Sequence, residues 1–196
     1  MKKVKINNLA DPEEEIIDIV VDYLFRQKVI AYPTDTVYGL GCLSTSPEAV
    51  KRIYKIKQRE EAKPLLVLVD SLEMAREYFH INPEQEKILE ERWPGPVSFI
   101  LKDKQKLAPE LNQAGKGLAV RLPKNEFLTK IVSKLKKPLT STSLNKSGEE
   151  ILSRVSDIKK YFREEEIDLV IDAGTLEGRP SEIIDLREGA LGERIR

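Results

Sequence analysis

The residues best suited to chemistry form four short polar groups, each beside an apolar run that predicts a buried strand. The groups are Thr34-Asp35-Thr36, Lys57-Gln58-Arg59 with Lys63, residues 140–148, and Arg121-Leu122-Pro123. Binding sites in open α/β sheets tend to form where strands end. We therefore expect the four groups to meet in one pocket.

The cations of the second group suit a polyphosphate. Lys57 and Arg59 lie at the C-terminal end of a predicted helix, and Lys63 precedes Pro64 and a buried strand. Cations at a helix C-terminus also complement the helix dipole, which is a purely structural interpretation. Their position next to the strand favours phosphate binding, because an arginine fork and a lysine charge are common ligands of phosphate groups.

The other three groups allow a structural and a functional interpretation. The hydroxyls of Thr34 and Thr36 could simply form hydrogen bonds within a turn. A lone arginine such as Arg121 usually forms a surface ion pair. Residues 140–148 contain five hydroxyl side chains and an amide that run into a glycine turn. Hydroxyls and loop N–H groups can together form an anion-binding concavity, so the functional interpretation is favoured for this group.

Several catalytic designs do not match this sequence. His80 is the only histidine and Cys42 the only cysteine, so there is no Cys and His spacing that would bind a metal. His80 follows helical apolar residues and is expected to pack, and Cys42 is expected to be buried. The glycine spacing gives neither a Walker loop nor a dinucleotide fingerprint. An enzyme built from these residues would work by positioning and electrostatics, without a covalent nucleophile.

Length and charge indicate a soluble cytoplasmic protein of one domain. The chain has 196 residues, which suits a single domain. Lys plus Arg and Asp plus Glu both number 33, so no global basic field favours non-specific nucleic-acid binding. The single cysteine fits a reducing compartment. The sequence shows no signal-peptide pattern and no apolar run of about 20 residues that could cross a membrane.

Helical and strand patterns alternate along the chain and predict an α/β domain. Helix-start signals occur at Asp11-Pro12, Ser46-Pro47, Ser71, Asn82-Pro83 and Asn125, and another helix is predicted at 155–162. Strands are predicted at 28–32, 65–69, 97–101, 118–122, 139–143, 169–172 and 183–186. Residues 32–42, with a proline and two glycines, are predicted to form a loop. Because strands follow one another directly around 97–122, the sheet should be mixed.

Several separated motifs resemble those of the YrdC-like family, the threonylcarbamoyl-AMP synthases. Residues 32–42 resemble the family segment P-T-(D/E)-T-x-Y-G-L-G, Lys57-Gln58-Arg59 its K-x-R motif, and Ser143-Leu144-Asn145 its S-x-N motif. Trp93-Pro94-Gly95-Pro96, Val120-Arg121-Leu122-Pro123 and residues 181–185 also fit, in the family's order. The resemblance runs from about residue 10 to the C-terminus.

The resemblance implies a fold and a reaction. The fold would be a single domain over 1–196, a twisted mixed sheet flanked by helices around a concave basic cavity. The reaction would join L-threonine, bicarbonate and ATP with Mg²⁺ into threonylcarbamoyl-AMP and pyrophosphate, with no tightly bound cofactor. The product would serve downstream threonylcarbamoyl-transferase enzymes that modify tRNA, and weak binding of tRNA or double-stranded RNA is also implied.

The resemblance also implies roles for particular residues, with no protein metal ligand among them. The implied catalytic residues are Lys57, Arg59, Ser143 and Asn145. The nucleotide would be bound by Arg59, Lys63, Ser143 and Arg196, with Arg194 as an alternative to Arg196. Threonine would be bound by Thr34, Thr36, Arg121, Ser141 and Ser181, with Arg121 pairing its carboxylate. The chain departs from common family residues at Leu68, Leu144 and Glu182.

Three rival functions stay open at this point. One is a YciO-like paralogue of the same fold with weak or different activity, against which the intact K-x-R and S-x-N motifs argue. Another is a module that binds double-stranded RNA or tRNA, against which the zero net charge argues. The third is a ribosome-assembly or chaperone-like role, which no residue pattern addresses.

Overall fold

A computed structural model describes residues 1–60, 63–113, 115–188 and 193–195. Its helices are α1 Glu14–Phe25, α2 Pro47–Lys57, α3 Leu72–Tyr78, α4 Pro83–Arg92, α5 Glu126–Leu135 and α6 Ile158–Tyr161. Two 3-10 helices span Pro109–Asn112 and Val155–Asp157. None of the helices in these ranges has the length and apolar character needed to span a bilayer.

The strands form one mixed sheet, as the sequence predicts. They are β1 Lys2–Lys5, β2 Ile30–Tyr32, β3 Gly39–Leu43, β4 Leu66–Leu68, β5 Phe79–His80, β6 Val97–Asp103, β7 Leu118–Arg121, β8 Leu139–Ser143, β9 Leu169–Asp172, β10 Glu182–Asp185 and β11 Glu193–Arg194. Their spatial order is β1-β9-β2-β3-β8-β4-β7-β6-β10-β11, and β5 pairs with β6 outside this series. The pairs β1–β9, β2–β9, β4–β7 and β6–β10 are parallel.

Four of the five predicted helix starts are confirmed by side-chain caps. A side-chain oxygen accepts a hydrogen bond from a first-turn N–H, which satisfies one of the donors that a helix end leaves unpaired. The capping residues are Ser46, Ser71, Asn82 and Asn125. The fifth start is wrong by two residues: α1 begins at Glu14, after an Asx turn in which Asn8 Oδ1 accepts from the N–H groups of Ala10 and Asp11.

The prediction of a loop throughout 32–42 is wrong, because β3 begins at Gly39. Gly39 and Gly41 are two residues apart and therefore face the same side of the strand. A Cβ added at Gly41 would lie 2.7 Å from Tyr32 Oη and would overlap the Thr140 carbonyl. These glycines make room for the buried Tyr32 ring on the neighbouring strand, so they serve close packing and not a turn.

The expectation for His80 is also wrong, whereas that for Cys42 is confirmed. His80 is exposed because it alternates with buried Phe79 in the two-residue strand β5. Cys42 is fully buried, and that burial raises the pKa of its thiol far above the usual range. The geometry therefore assigns neither side chain to a reactive site.

The two faces of the sheet are covered unequally. One face packs Val67, Phe99 and Val120 into a core shared with residues of α2, α3 and α4. The other face packs Leu139 and Ile171 against residues of α1 and α5. Beyond α5 this second face continues over β7, β6 and β10, where it forms the floor of a cavity.

Candidate active site on the concave face of the sheet

A cavity of about 170 Å³ lies across the sheet face. Alternate residues of the adjacent strands β8, β4 and β7 line it, namely Ser141 and Ser143, Leu66 and Leu68, and Ala119 and Arg121. Side chains two residues apart point to the same face of a strand. Members of all four polar groups therefore line one cavity, which extends from the strand ends over the face of the sheet.

Hydroxyl groups dominate the polar lining. They belong to Thr34, Thr36, Tyr38, Ser98, Ser141, Thr142, Ser143 and Ser181. Among the residues of this lining, the charged ones are Arg59, Arg121 and Asp35. Two guanidinium groups against one carboxylate leave a small positive excess, which suits an anionic ligand.

Arg121 is held in a fixed orientation on the floor of the cavity. Its side chain is 3% exposed, and its Nη2 lies 2.5 Å from Asp35 Oδ2. Nε donates to the Gly95 carbonyl at 2.8 Å, and Nη1 donates to Thr36 Oγ1 at 3.4 Å. Burial lowers the pKa of Arg121, while the Asp35 carboxylate opposes that shift. These contacts engage three of the five guanidinium N–H groups, so a ligand carboxylate can share the same fork.

Thr34 organises the turn that carries Asp35 and Thr36. Its Oγ1 accepts from the N–H groups of Thr36 and Val37 at 3.0 and 3.1 Å, and donates to the Val37 carbonyl at 2.6 Å. The Thr36 hydroxyl lies 2.9 Å from the same oxygen. The turn interpretation is thus correct for Thr34, whose hydroxyl is engaged within its own loop although the residue lines the cavity.

Lys57 lies beneath the cavity instead of lining it. The residue is 1% exposed. Its Nζ donates to the carbonyls of Ser143 and Asn145 at 2.6 and 2.9 Å, and to Asn145 Oδ1 at 2.8 Å. Three acceptors match the three protons of an ammonium group. The Lys57 ammonium group thus contacts the loop that follows β8, and its contact with phosphate stays a prediction.

Ser143 and Asn145 form a connected turn above this lysine. Ser143 lines the cavity, and its Oγ donates to Asn145 Oδ1 at 2.7 Å. Asn145 Nδ2 donates to the Glu149 carbonyl at 2.6 Å, so this amide helps to hold the loop that follows β8. Ser143 is the member of the S-x-N motif that faces the cavity, and Asn145 supports it.

The remaining predicted cations differ in position. Arg59 lines the cavity, and its Nε and Nη2 donate to the carbonyls of Lys63 and Pro64 at 3.0 and 3.1 Å. The Lys63 side chain is 57% exposed and pairs with Glu60 at 3.0 Å, outside the cavity lining. Arg196 lies outside the described residues.

A strap that follows β9, residues 173–181, closes one side of the site. Tyr38 Oη donates to the Gly174 carbonyl at 2.8 Å and accepts from the Ala173 N–H at 2.9 Å. Burial raises the pKa of Tyr38 to about 12, so it stays a neutral phenol. A Cβ at Gly178 would overlap the Thr36 carbonyl, so only glycine lets the strap lie this close to the turn that carries Thr36. Sequence reasoning did not find this role of the strap, because the contact joins segments far apart in the chain.

The three departures from common family residues have different surroundings. Leu144 is fully buried in the core on the opposite face of the sheet. Glu182 pairs with Arg92 at 2.9 Å and does not line the cavity, whereas its neighbour Ser181 does. Leu68 lines the cavity. Of these three residues, only Leu68 therefore forms part of the cavity surface.

Lys57 should make the free energy of unfolding rise with pH. Burial, and then the charges of Arg59 and Lys146, lower its pKa from 10.5 to about 7 in the folded protein. Between these two values the unfolded chain binds a proton that the folded chain lacks, so folding gains stability as pH rises. Urea unfolding at pH 7 and pH 9 should show the wild type gaining roughly 1–2 kcal/mol relative to Lys57→Met. A difference that does not change with pH would contradict the lowered pKa.

Comparison with known proteins agrees with the family resemblance. The family model for Sua5, YciO and YrdC proteins, described as "Telomere recombination", matches residues 22–194. A protein of Serratia proteamaculans named threonylcarbamoyl-AMP synthase is 32% identical over 193 residues, which are 96% of this chain and 99% of that one. A protein of Pyrococcus abyssi with the same name is 34% identical over 90% of this chain, but only 52% of its own length is matched.

Solved structures share the fold. P. abyssi Sua5 complexed with L-threonine superposes with a TM-score of 0.91 and 28% identity, covering 100% of this chain and 57% of that chain. E. coli YciO superposes with a TM-score of 0.85 and 27% identity, covering 99% of this chain and 95% of that chain. The α/β fold inferred from the resemblance is confirmed. The chain belongs to the Sua5/YciO/YrdC family.

Proposed function

We propose that this chain is a cytoplasmic L-threonylcarbamoyladenylate synthase, a nucleotidyltransferase that acts on L-threonine, bicarbonate and ATP. The observation that supports it most is one hydroxyl-lined cavity with two arginines on separate elements, Arg59 after α2 and Arg121 on β7. Two separate guanidinium groups suit a reaction that brings a carboxylate and a polyphosphate together. The names of the relatives point the same way.

The proposed chemistry needs no nucleophile from the protein. The threonine amine attacks bicarbonate, water leaves, and a carbamate forms. A carbamate oxygen then attacks the α-phosphorus of ATP, the bond to the β-phosphate oxygen breaks, and pyrophosphate departs with the electron pair. The protein's task is to align the two substrates and to stabilise charge on the phosphates.

Each part of the cavity then has a proposed role. Arg59 and the Ser143 hydroxyl bind the phosphates, and Arg121 binds the threonine carboxylate. Thr36, Ser141 and Ser181 complete the amino-acid side. Lys57, Asn145 and Thr34 hold these groups in place through the contacts described above. Lys63 and Arg196 stay proposed nucleotide ligands.

Mg²⁺ would enter with ATP as part of the substrate. Mg²⁺ retains several waters and binds ATP phosphates together with one or two oxygen ligands from protein. The described residues contain no cluster of three metal-ligating side chains. Asp35 and the hydroxyls of the cavity offer oxygen atoms for such a complex.

Downstream enzymes that transfer the threonylcarbamoyl group to tRNA would then consume the product.

An omission assay tests the function. Purified chain is incubated with ATP, Mg²⁺, bicarbonate and threonine, and pyrophosphate release is measured with each component left out in turn. We expect release only when all four are present. Release that does not depend on threonine would indicate a YciO-like paralogue with another activity, and the absence of any release would contradict the proposal.

Arg121→Lys should raise the threonine requirement more than the ATP requirement. The lysine keeps a positive charge beside Asp35 but loses the fork that can engage a carboxylate with two parallel hydrogen bonds. We expect the KM for threonine to rise at least about tenfold, with the KM for ATP little changed. If steady-state kinetics show the larger change for ATP, Arg121 does not bind the carboxylate.

A further inference from the structure

The C-terminal end of α2 is capped by the loop that follows β8. A helix leaves its last four carbonyl groups without a partner inside the helix. The first two of these accept from backbone N–H groups just beyond α2. The last two belong to Ile56 and Lys57. Lys146 Nζ donates to the Ile56 carbonyl at 2.6 Å, and the Ser147 N–H donates to the Lys57 carbonyl at 2.8 Å.

Lys146 is also bound to a third segment, which lies between α6 and β9. Its side chain is 12% exposed, and its Nζ lies 3.0 Å from Glu166 Oε1 and 4.8 Å from the centre of the Phe162 ring. A cation is attracted to the face of an aromatic ring. Glu166 is fixed in turn, because its Oε2 accepts from the Arg163 N–H and its carbonyl accepts from Arg52 Nη2 of α2. Lys146 therefore joins three segments that are far apart in the chain.

Two of these segments present the proposed phosphate ligands. Arg59 follows the end of α2 by two residues, Ser143 is the last residue of β8, and both line the cavity. Lys57 Nζ donates from the helix to the loop, and Lys146 Nζ donates from the loop to the helix. The two lysines thus hold the helix end and the loop together in both directions. The separation of Arg59 and Ser143 depends on this junction.

We infer that Lys146 is a positioning residue for the phosphate side of the site. By holding α2 against the loop that follows β8, it fixes Arg59 relative to Ser143. The inference rests on the proposed function, since it requires phosphates to bind between these two side chains. Lys146 lies outside the K-x-R and S-x-N motifs and is not among the described residues that line the cavity. It therefore acts through its contacts with Ile56 and Glu166, without touching the ligand.

Binding of α,β-methylene-ATP with Mg²⁺ tests the inference without any need for turnover. Isothermal titration calorimetry would compare the full chain with Lys146→Met, which keeps an unbranched side chain but removes the charge and the donors. We expect affinity to fall about tenfold, which corresponds to one charge-assisted hydrogen bond to a phosphate. Lys146→Arg should stay within about threefold of the wild type, because arginine can still donate to Ile56 and pair with Glu166.

A milder variant and a matched control accompany these two. Glu166→Gln removes the charged partner but keeps the contact between Lys146 and Ile56, so we expect about threefold weaker binding of the analogue. This variant decides the question if Lys146→Met does not fold. Lys159→Met is the control: Lys159 lies on α6, and its side chain is 70% exposed and pairs with Glu164. It should bind the analogue as the wild type does.

Steady-state kinetics give a second readout that a general loss of structure would not produce. The contacts that hold the amino-acid side of the cavity do not involve Lys146. The KM for ATP should therefore rise about tenfold in Lys146→Met while the KM for threonine stays unchanged. Urea unfolding of each variant would report the change in stability separately.

The outcomes distinguish this inference from the proposed function. Wild-type affinity for the analogue in folded Lys146→Met, or in Glu166→Gln if the first variant does not fold, would overturn the inference. Equal rises in both KM values would also overturn it, and so would an equal loss of affinity in Lys146→Arg and Lys146→Met. The expected affinities in a chain without threonine-dependent pyrophosphate release would support the inference and contradict the proposed function. If the wild type does not bind the analogue, the inference is wrong.

Discussion

Arg59→Ala should reduce ATP-dependent turnover at least about a hundredfold while the protein remains folded. Arg59 is one of the two arginines lining the cavity, and it lies directly after α2. Its Nε and Nη2 bind two nearby carbonyls, which fixes the plane of the guanidinium group. A fixed cation stabilises charge that develops on phosphates without having to reorganise during the reaction.

The loss of stability in this variant should be small. The two lost hydrogen bonds lie in an exposed segment, and such bonds contribute about 1 kcal/mol each. Steady-state kinetics and urea unfolding would be measured together on Arg59→Ala, on Arg59→Lys and on Arg26→Ala as a control. Arg26 directly follows α1, and its side chain is 69% exposed and paired with Asp22. Turnover of Arg59→Ala close to that of Arg26→Ala would contradict the phosphate-binding role.

Lys57→Met should have the largest effect on stability. The substitution removes the hydrogen bonds that Nζ donates to three oxygen atoms. The Ser143 carbonyl keeps the Asn145 N–H and Asn145 Oδ1 keeps the Ser143 hydroxyl, so the loss falls most on the Asn145 carbonyl. At pH 9 the lowered pKa of Lys57 makes its side chain a neutral amine with two N–H donors, so no buried charge offsets the loss. We expect the free energy of unfolding to fall by about 1–3 kcal/mol at this pH.

Activity should fall together with stability in Lys57→Met, because Lys57 holds the turn that presents Ser143 to the cavity. We expect turnover to drop roughly tenfold or more under conditions where the variant is folded. Lys55→Met is the matched control, an exposed lysine two residues earlier on the same helix. Urea unfolding and steady-state kinetics would be measured for both variants. Equal stability and equal turnover in the two variants would contradict the positioning role of Lys57.

Local signals in the sequence predict much of this fold. Strand β8 and strand β9 have the predicted bounds, and four predicted caps are side-chain caps in the structure. These features depend on neighbours within a few residues, so the residue types specify them directly. The start of α1 is the exception: the helix begins at Glu14 without a side-chain cap, and an Asx turn at Asn8 precedes it.

Features that depend on distant residues could not be predicted in this way. Gly39 and Gly41 predict a turn by composition, but they belong to β3 because the Tyr32 ring and β8 lie against them. The sheet order, which places β8, β4 and β7 side by side, extends the site from the strand ends over the sheet face. The surroundings of Lys57 also depend on distant residues. Its positive charge suits a phosphate, but its side chain is buried and donates to three oxygen atoms of Ser143 and Asn145.

The most direct test of the proposed function follows the carbon of bicarbonate. The chain is incubated with ATP, Mg²⁺, threonine and isotopically labelled bicarbonate, and nucleotide products are identified by mass spectrometry. We predict an AMP adduct that contains both threonine and the labelled carbon, formed in equal amount with pyrophosphate. Pyrophosphate release without labelled carbon in a threonine-containing nucleotide would contradict the proposal.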